Sequence, residues 1–460
     1  MVGCVASLTV VPWARPRREL LLLLLVGVAA LSTVDQINTQ DQSRLCLARA
    51  LVHGHLAVGS CLSTSFDQAM YRGSLYSDKA PGMSVLEIPV AEAVRLPSTS
   101  GWHLYDGRLW LIRVFSSGLA FLVCVFLIGR ISEGLAPGAG GLAMVATGLG
   151  TLLAPLAAAN FDHVPTAALE FASFLCAWRG RPLLAGLLSG AALGFEYEGA
   201  VLVVAIGIYV TYRHRRSLST YAVGVLPSVV LLGAYDWIAF GAPWHPSYRY
   251  VTNTDAAGQA TGFFGINIPQ LHAVREVFVG PLGLLVVSPV LVAAAAGLML
   301  FARAHRAEAL LCAGTSAAFI FVNCGYFLPY GGWSPGPRFL IPALPFLAVG
   351  LGPAIERMPR LTALLALVSI VAMTAITLIW AATPVIQETV WGELARLPFQ
   401  LDSSQFVHNV SRNILSWLIP PGTWEAALPA ASAAAAFLLA AAAARRPVTS
   451  KPEPDARATP

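Results

Sequence analysis

The amino-acid sequence predicts an all-α fold: a polytopic membrane bundle of about twelve transmembrane helices. Hydrophobic residues make up 56% of the 460-residue chain, charged residues make up 12%, and the mean hydropathy is +0.67. Soluble domains carry about 25% charged residues, so this chain has too little polar surface to cover a globule in water. Long apolar runs recur along the chain, and arginines lie between alternate runs. Together these observations place most of the chain in a lipid bilayer.

The apolar runs are long enough to cross a bilayer, which takes about 20 residues in a helix. The first run follows basic residues 15–18 and resembles a signal peptide, but no small-residue cleavage site precedes Asp35, so we predict a retained helix. The twelve predicted spans lie near residues 19–37, 109–130, 139–158, 163–178, 183–196, 198–212, 218–239, 281–301, 309–328, 338–355, 361–382 and 424–444.

The positions of the basic residues predict which side each loop faces. With both termini in the cytoplasm, every predicted cytoplasmic segment carries at least one cation, as the positive-inside rule requires. Residues 84–97 are apolar but contain Glu87 and Glu92, and a span there would invert the charge pattern downstream. We therefore predict an interfacial helix on the outer surface. The long outer loops are then residues 38–108, 240–280 and 383–423.

The domain organisation and the Cys content exclude several classes of protein. Residues 1–446 form one predicted transmembrane domain, and the Pro-rich residues 447–460 form a predicted disordered cytoplasmic tail. The seven Cys include no CxxC spacing, so neither a zinc motif nor a redox motif is predicted. Basic residues are scattered among short loops, which argues against a nucleic-acid partner. Membrane lipids are the expected surroundings.

The first outer loop carries residues suited to chemistry at the membrane surface. Asp41 follows the first span, where a carboxylate is suited to act as a general base or to cap the next helix. Lys79 is one of two Lys in the chain, and it is either a phosphate contact or a snorkelling cation. Cys46 and Cys61 lie 15 positions apart, a candidate disulfide in an oxidising exterior or two core residues.

Asp162 and His163 lie between two apolar helices, where polar groups cost free energy unless water, an ion or a partner meets them. The alternative is that Asp162 caps the following helix. With Asp41 they are also candidates to hold a divalent cation, although two carboxylates without a third ligand are a weak metal signal.

Five further polar residues lie in three segments, and each segment has two interpretations. Arg338 lies at the outer mouth of a span, either to bind phosphate oxygens or to anchor the helix at the interface. Tyr248 and Arg249 belong to an aromatic and basic segment that suits sugar faces and interfacial belts alike. Glu196 and Glu198 lie in a very short outer turn, where headgroup contacts are the preferred interpretation over a cavity.

Four segments, which follow one another within roughly residues 19–355, resemble the motifs of a known family. They are Asp41-Gln42-Ser43-Arg44, Tyr76-Ser77-Asp78-Lys79-Ala80-Pro81, Asn160-Phe161-Asp162-His163 and Gly336-Pro337-Arg338-Phe339-Leu340-Ile341-Pro342. Together they resemble the GT-C membrane glycosyltransferases, nearest to the bacterial family-39-type members of the protein O-mannosyltransferase and aminoarabinose lipid A transferase branch. Gln42 stands where many relatives have a second acid, and Ala80-Pro81 replaces the commoner Pro-Pro.

The resemblance implies a GT-C-like fold and inverting transfer of a monosaccharide from a polyprenyl-phosphate donor. The acceptor would be a glycan, lipid or protein outside the cytoplasm. Asp41 would take the proton of the acceptor hydroxyl, and Asp162 would orient the sugar or the acceptor, or help to bind a metal. Lys79 and Arg338 would bind the donor phosphate, and Arg44 would bind that phosphate or fix the carboxylate of Asp41.

Substrate contacts are expected from Asp78, His163, Tyr248 and Arg249. The departure at Gln42 weakens a metal-dependent mechanism, so we expect no cofactor, with a divalent cation as the alternative. The expected location is the inner, plasma membrane, with the active site facing away from the cytoplasm.

Two other functions fit the same sequence. One is a transporter or flippase of a lipid-linked precursor, which predicts related halves and ionisable residues buried within spans. No internal repeat is visible, and only Arg113 and Glu170 lie well inside predicted spans. The other is a non-catalytic membrane protein that binds a lipid-linked sugar.

Overall fold

The computed structural model describes most of the chain between its two ends. The predicted tail at residues 447–460 and most of the predicted outer loop at 383–423 lie outside the described residues, and so do parts of the first outer loop. The described residues are 16–62, 67–95, 106–213, 215–252, 256–332, 334–379, 389–396, 412–420 and 424–444.

About 75% of the described residues are helical, as the apolar composition predicts. A π-helical turn at Val114–Gly118 interrupts the long helix Gly107–Leu135. The helices are α1 (Pro16–Leu31), α2 (Thr39–Val52), α3 (Gly82–Val94), α4 (Gly107–Leu135), α5 (Gly140–Leu149), α6 (Leu153–Ala158), α7 (His163–Trp178), α8 (Pro182–Phe195), α9 (Ala200–Arg213), α10 (Leu218–Phe240), α11 (Ala256–Gln259), α12 (Leu271–Val279), α13 (Leu284–Val287), α14 (Val290–Phe301), α15 (Arg306–Gly325), α16 (Leu344–Ala348), α17 (Leu351–Arg357), α18 (Pro359–Ile379), α19 (Val390–Arg396) and α20 (Trp424–Ala444).

The helices have the apolar character of a membrane bundle, but they do not confirm twelve spans. Within the described residues, five helices are long and apolar enough to cross a membrane, and two bent pairs raise the number to seven if each pair is one span. The bends are 86° between α12–α13 and α14, and 54° between Arg338–Ala348 and α17. The five helices are Gly107–Leu135, Arg215–Phe240, Arg306–Gly325, Pro359–Leu378 and Trp424–Ala444.

The difference arises because an apolar run in the sequence is not always one continuous helix. The predicted span 139–158 divides at Gly150 into α5 and α6. The predicted span 281–301 divides at Ser288-Pro289, where Pro cannot donate the backbone hydrogen bond that a continuing helix needs. Several other predicted spans form helices of only 14 to 16 residues, among them α7, α8 and α9.

The first outer loop folds into helix α2, a hairpin and helix α3. Strands β2 (Gln68–Tyr71) and β3 (Ser74–Ser77) pair antiparallel. Arg72 and Gly73 both have positive φ, at 49° and 79°, which is the conformation of the two central residues of a type I′ turn. Helix α3 lies where the sequence predicts an interfacial helix, but its position relative to a membrane stays a prediction. Strands β1 (Thr33–Val34) and β4 (Arg412–Asn413) form a second small pair.

Small residues allow close contact between neighbouring helices. A Cβ atom added to Gly186 of α8 would lie 2.1 Å from the Tyr221 carbonyl oxygen of α10. A Cβ atom added to Gly297 of α14 would lie 1.8 Å from the Gly350 carbonyl oxygen. Such contacts are typical of helix packing in membranes, where small residues let two backbones approach. These contacts pack the helices into a bundle, and the candidate site lies at one end of that bundle.

Candidate active site

Charged side chains from four parts of the chain converge on one polar cavity, at the end of the bundle where α7 begins and α8 ends. The cavity encloses about 590 Å³ of space between atoms, part of it open to solvent. Its ionisable lining residues are Asp67, Asp78, Lys79, Asp162, His163, Glu196, Glu198, Tyr248 and Arg338.

The hairpin brings two acids to the same Lys. Asp67 directly precedes β2 and Asp78 directly follows β3, and the last paired residues of the two strands are Gln68 and Ser77. The two acids therefore lie side by side. Lys79 Nζ is 2.9 Å from Asp67 Oδ1 and 3.1 Å from Asp78 Oδ2.

These three charges perturb one another. Burial raises the pKa of Asp78 to about 6, even beside the Lys79 ammonium. Burial also opposes ionisation of Asp67, but Lys79 outweighs it and holds the pKa of Asp67 below its ordinary value. Two carboxyls of one site whose pKa values are pushed apart are a common arrangement for acid–base work.

Arg338 lines the same cavity. It begins the 3₁₀ turn Arg338–Ala343 that leads into α16. Its guanidinium lies over two rings, with Cζ 5.5 Å from the centroid of Phe161 and 5.4 Å from that of Phe339. Among the residues the structure describes, no carboxylate lies within ion-pair distance of it, and its buried Nε has no hydrogen-bond partner. Its charge is therefore available to an anion.

The third wall forms where two antiparallel helices meet. Asp162 and His163 begin α7, while Glu196 ends α8, so the short turn between α7 and α8 lies at the far end. His163 Nδ1 is 3.0 Å from Asp162 Oδ1 and 2.9 Å from Glu196 Oε2. Burial, with Asp162 nearby, raises the pKa of Glu196 to about 8. Glu198 extends this acidic wall.

Arg44 lies beneath the cavity instead of lining it. Its side chain is completely buried, and its Nη2 is 2.7 Å from Asp162 Oδ2. Burial disfavours the charged form of Asp162, but Arg44 and His163 outweigh it and hold the pKa of Asp162 well below its usual range. Arg44 also donates to the Asn160 carbonyl oxygen at 2.8 Å. It thus orients Asp162, and the structure gives no support to direct contact between Arg44 and a phosphate.

Asp41, the base expected from the resemblance, is also outside the cavity lining. Its side chain has no exposed surface. Oδ2 accepts from the Asn38 backbone N–H at 3.1 Å, in a capping box, and lies 2.5 Å from Arg113 Nη2. Oδ1 accepts from Asn160 Nδ2 at 3.2 Å. Because Asp41 does not line the cavity and its carboxylate caps α2 and pairs with Arg113, this position supports the helix-cap interpretation over that of a base.

Of the remaining predicted substrate contacts, one lines the cavity and one does not. Tyr248 lines the cavity, whereas Arg249 is exposed and does not line it. Cys46 and Cys61 form a disulfide with a Cα–Cα distance of 5.8 Å, and it ties α2 to the segment before the hairpin.

Several residues of the cavity are absent from the sequence-based site. Asp67 was not singled out, because only the hairpin register places it beside Lys79. Glu196 and Glu198 were assigned to headgroups, although the alternation of two acids around Tyr197 in a tight turn is a visible signal. Asn160, which lies outside the cavity lining, has a φ of 62° and donates from its side-chain amide to both Asp41 and Glu87.

No protein-family model matches this sequence, and no curated protein does. Solved structures do match. ArnT from Cupriavidus metallidurans bound to undecaprenyl phosphate has a TM-score of 0.52 at 14% identity, over 92% of this chain and 76% of that chain. The oligosaccharyltransferase of Archaeoglobus fulgidus has a TM-score of 0.45 at 14% identity, over 94% and 56%. Arabinosyltransferase EmbB from Mycobacterium smegmatis has a TM-score of 0.41 at 14% identity, over 93% and 40%.

All three structures are GT-C glycosyltransferases. The likeness to ArnT shows a shared fold, and the two lower TM-scores add nothing to it. The resemblance read from the four sequence segments is thus confirmed at the level of the fold.

Proposed function

We propose that this protein transfers a sugar from a polyprenyl-phosphate donor to an acceptor hydroxyl on the outer side of the membrane. The observation that carries the proposal is the polar cavity, in which Arg338, a cation that pairs with no carboxylate among the described residues, lies together with several acids. The fold shared with ArnT, a protein whose structure contains undecaprenyl phosphate, supports a lipid-phosphate donor. The Cys46–Cys61 disulfide supports an oxidising, extracytoplasmic side for the first loop.

Arg338 binds the donor phosphate in this proposal. A guanidinium matches phosphate oxygens with two parallel hydrogen bonds, and the rings of Phe161 and Phe339 hold its plane in place. Lys79 is a second cation of the cavity, but the two carboxylates Asp67 and Asp78 more than offset its single charge. Positive charge placed in advance stabilises the phosphate as it leaves, which is usually a large part of catalysis.

Asp78 is the general base in place of Asp41. Its pKa of about 6, raised by burial, leaves it ionised at neutral pH yet more basic than an ordinary Asp. The acceptor hydroxyl loses its proton to Asp78 and its oxygen attacks the anomeric carbon. The bond from that carbon to the phosphate oxygen breaks, and its electron pair stays on the phosphate. Attack opposite the leaving group inverts the anomeric configuration.

Asp162, held by Arg44, orients the sugar in this scheme, and Tyr248 and His163 contact it. The transporter alternative gains no support from the two charged residues inside spans. Arg113 pairs with Asp41, and Glu170 accepts a hydrogen bond from Ser189 at 2.8 Å. Neither lines the cavity.

A donor panel tests the proposal. Purified full-length protein in nanodiscs is given radiolabelled polyprenyl-phosphate sugars and a cell-envelope extract, and label transfer is followed. We expect the wild type to use one donor and Arg338→Gln to lose transfer. Arg108→Gln should transfer as wild type does; it is a matched change at an Arg outside the cavity that pairs with Asp106. Absence of transfer with every donor, from folded protein that binds polyprenyl phosphate, would favour the flippase or the non-catalytic alternative.

A further inference from the structure

The acidic wall of the cavity contains three side chains of the kinds that bind metals. Asp162, His163 and Glu196 are each at most 4% exposed, and their ligand atoms all lie within 4.8 Å of one another. They come from the start of α7 and the end of α8, two helices that pack against each other. Imidazole nitrogen and carboxylate oxygen are common ligands of divalent transition metals.

Hydrogen bonds within the protein do not satisfy this group. A neutral imidazole has one N–H, yet oxygens of both Asp162 and Glu196 face the same nitrogen of His163 at 3.0 and 2.9 Å. The His163 nitrogen makes its hydrogen bond to Asp162, so the buried Glu196 Oε2 beside it accepts none, and neither does the buried Oε2 of Glu198, two residues along the chain. A buried carboxylate oxygen without a partner is costly. A cation among these atoms would satisfy them together.

The spacing of the atoms also fits one shared ion. Zinc-type and manganese-type ions hold nitrogen and oxygen ligands at about 2.0–2.2 Å, so neighbouring ligands on one ion lie about 2.8–3.5 Å apart. Both distances from His163 Nδ1 fall in that interval. Arg44 binds Oδ2 of Asp162 and leaves Oδ1 toward His163, which is how outer-shell partners orient metal ligands.

We infer that the protein binds one divalent transition-metal ion, of the manganese or zinc type, through Asp162 Oδ1, His163 Nδ1 and Glu196 Oε2. Binding is independent of the proposed transfer. Only the role of the ion rests on the proposed function, since the ion would add positive charge in the cavity that Arg338 also lines, where the donor phosphate is proposed to lie.

Metal binding to the full-length protein in nanodiscs tests the inference. Protein stripped with a chelator is dialysed against Mn²⁺ or Zn²⁺, bound metal is counted by mass spectrometry, and Mn²⁺ affinity is measured by electron paramagnetic resonance. We expect one ion per chain. His163→Gln and Glu196→Gln should each weaken binding by at least about tenfold. His272→Gln and Glu92→Gln, matched changes at exposed positions, should bind as wild type does.

Thermal melting of each variant confirms that it is folded. Wild type that binds neither metal, or triad variants that bind as tightly as wild type, would overturn the inference. The transfer assay on the same preparations separates the two proposals. Transfer by a chain that binds no ion would overturn the metal site alone, whereas one bound ion in a chain that transfers no sugar would overturn the proposed function alone.

Discussion

Arg338 and Lys79 should respond to substitution in opposite ways, although both are basic residues of one cavity. Arg338 has no carboxylate partner in the described part of the chain, and only two aromatic rings hold it. Lys79 lies between Asp67 and Asp78, at 2.9 and 3.1 Å. We therefore expect Arg338 to act mainly on the donor and Lys79 mainly on the fold.

The magnitudes follow from these contacts. A hydrogen bond to a charged group contributes about 1.5–3 kcal/mol, so Arg338→Gln should lower kcat/KM by about 10- to 150-fold for each bond to the phosphate. Its melting temperature should change little, because the substitution breaks no ion pair. Lys79→Met leaves two carboxylates without their cation, and breaking a buried pair from one side costs about 3–5 kcal/mol of stability.

Two measurements on the same preparations test this contrast: kcat/KM with the donor that the panel identifies, and the melting temperature in detergent. Arg338→Lys is the informative intermediate, because it keeps the charge and loses the planar fork. Arg108→Gln controls for a change from Arg to Gln outside the cavity. Wild-type kcat/KM in Arg338→Gln, or a wild-type melting temperature in Lys79→Met, would refute the reasoning.

Three further predictions concern the Asp41–Arg113 pair, the buried Glu87 and the helix packing. Asp41→Asn removes the counter-charge of Arg113 and should cost about 3–5 kcal/mol of stability; an Asn variant with wild-type melting and no turnover would instead return the role of base to Asp41. Burial raises the pKa of Glu87 to about 8 from an ordinary 4.5, so its stability contribution is full below pH 4.5 and is lost as the pH rises through 8. The melting temperature of Glu87→Gln should therefore gain on that of wild type as the pH is raised across that window, and a constant difference would contradict this. Gly297→Ala would place Cβ 1.8 Å from a carbonyl oxygen and should cost about 1–3 kcal/mol in a melting experiment. Gly314→Ala, with open space around its added Cβ, should cost nothing.

The fold class was predictable because it depends on a property of the whole chain, its apolar excess. Which apolar runs form one continuous helix was not predictable, because that depends on local breaks. Ser288-Pro289 and Gly350 lie inside apolar runs, yet helices on either side of them meet at 86° and 54°. Hydropathy averages over such positions, whereas backbone hydrogen bonding does not.

The site was predictable in part for a related reason. Lys79, Asp162 and Arg338 stand in recognisable segments, and all three line the cavity. Asp67 and Glu196 reach it only through strand register and the antiparallel packing of α7 on α8, which no short segment reveals. Polar residues next to helix starts are ambiguous in sequence, because capping and catalysis use the same side chains.

Transfer of a sugar from a polyprenyl phosphate at this cavity is the central claim, and single-turnover release of polyprenyl phosphate tests it most directly. Wild type and Asp78→Asn are mixed with the labelled donor and acceptor extract, and both products are counted. We predict that wild type releases one polyprenyl phosphate for each sugar transferred, and that the folded Asn variant binds the donor but transfers far more slowly. Equal release by both proteins would contradict Asp78 as the base, and no release by either would contradict the transferase itself.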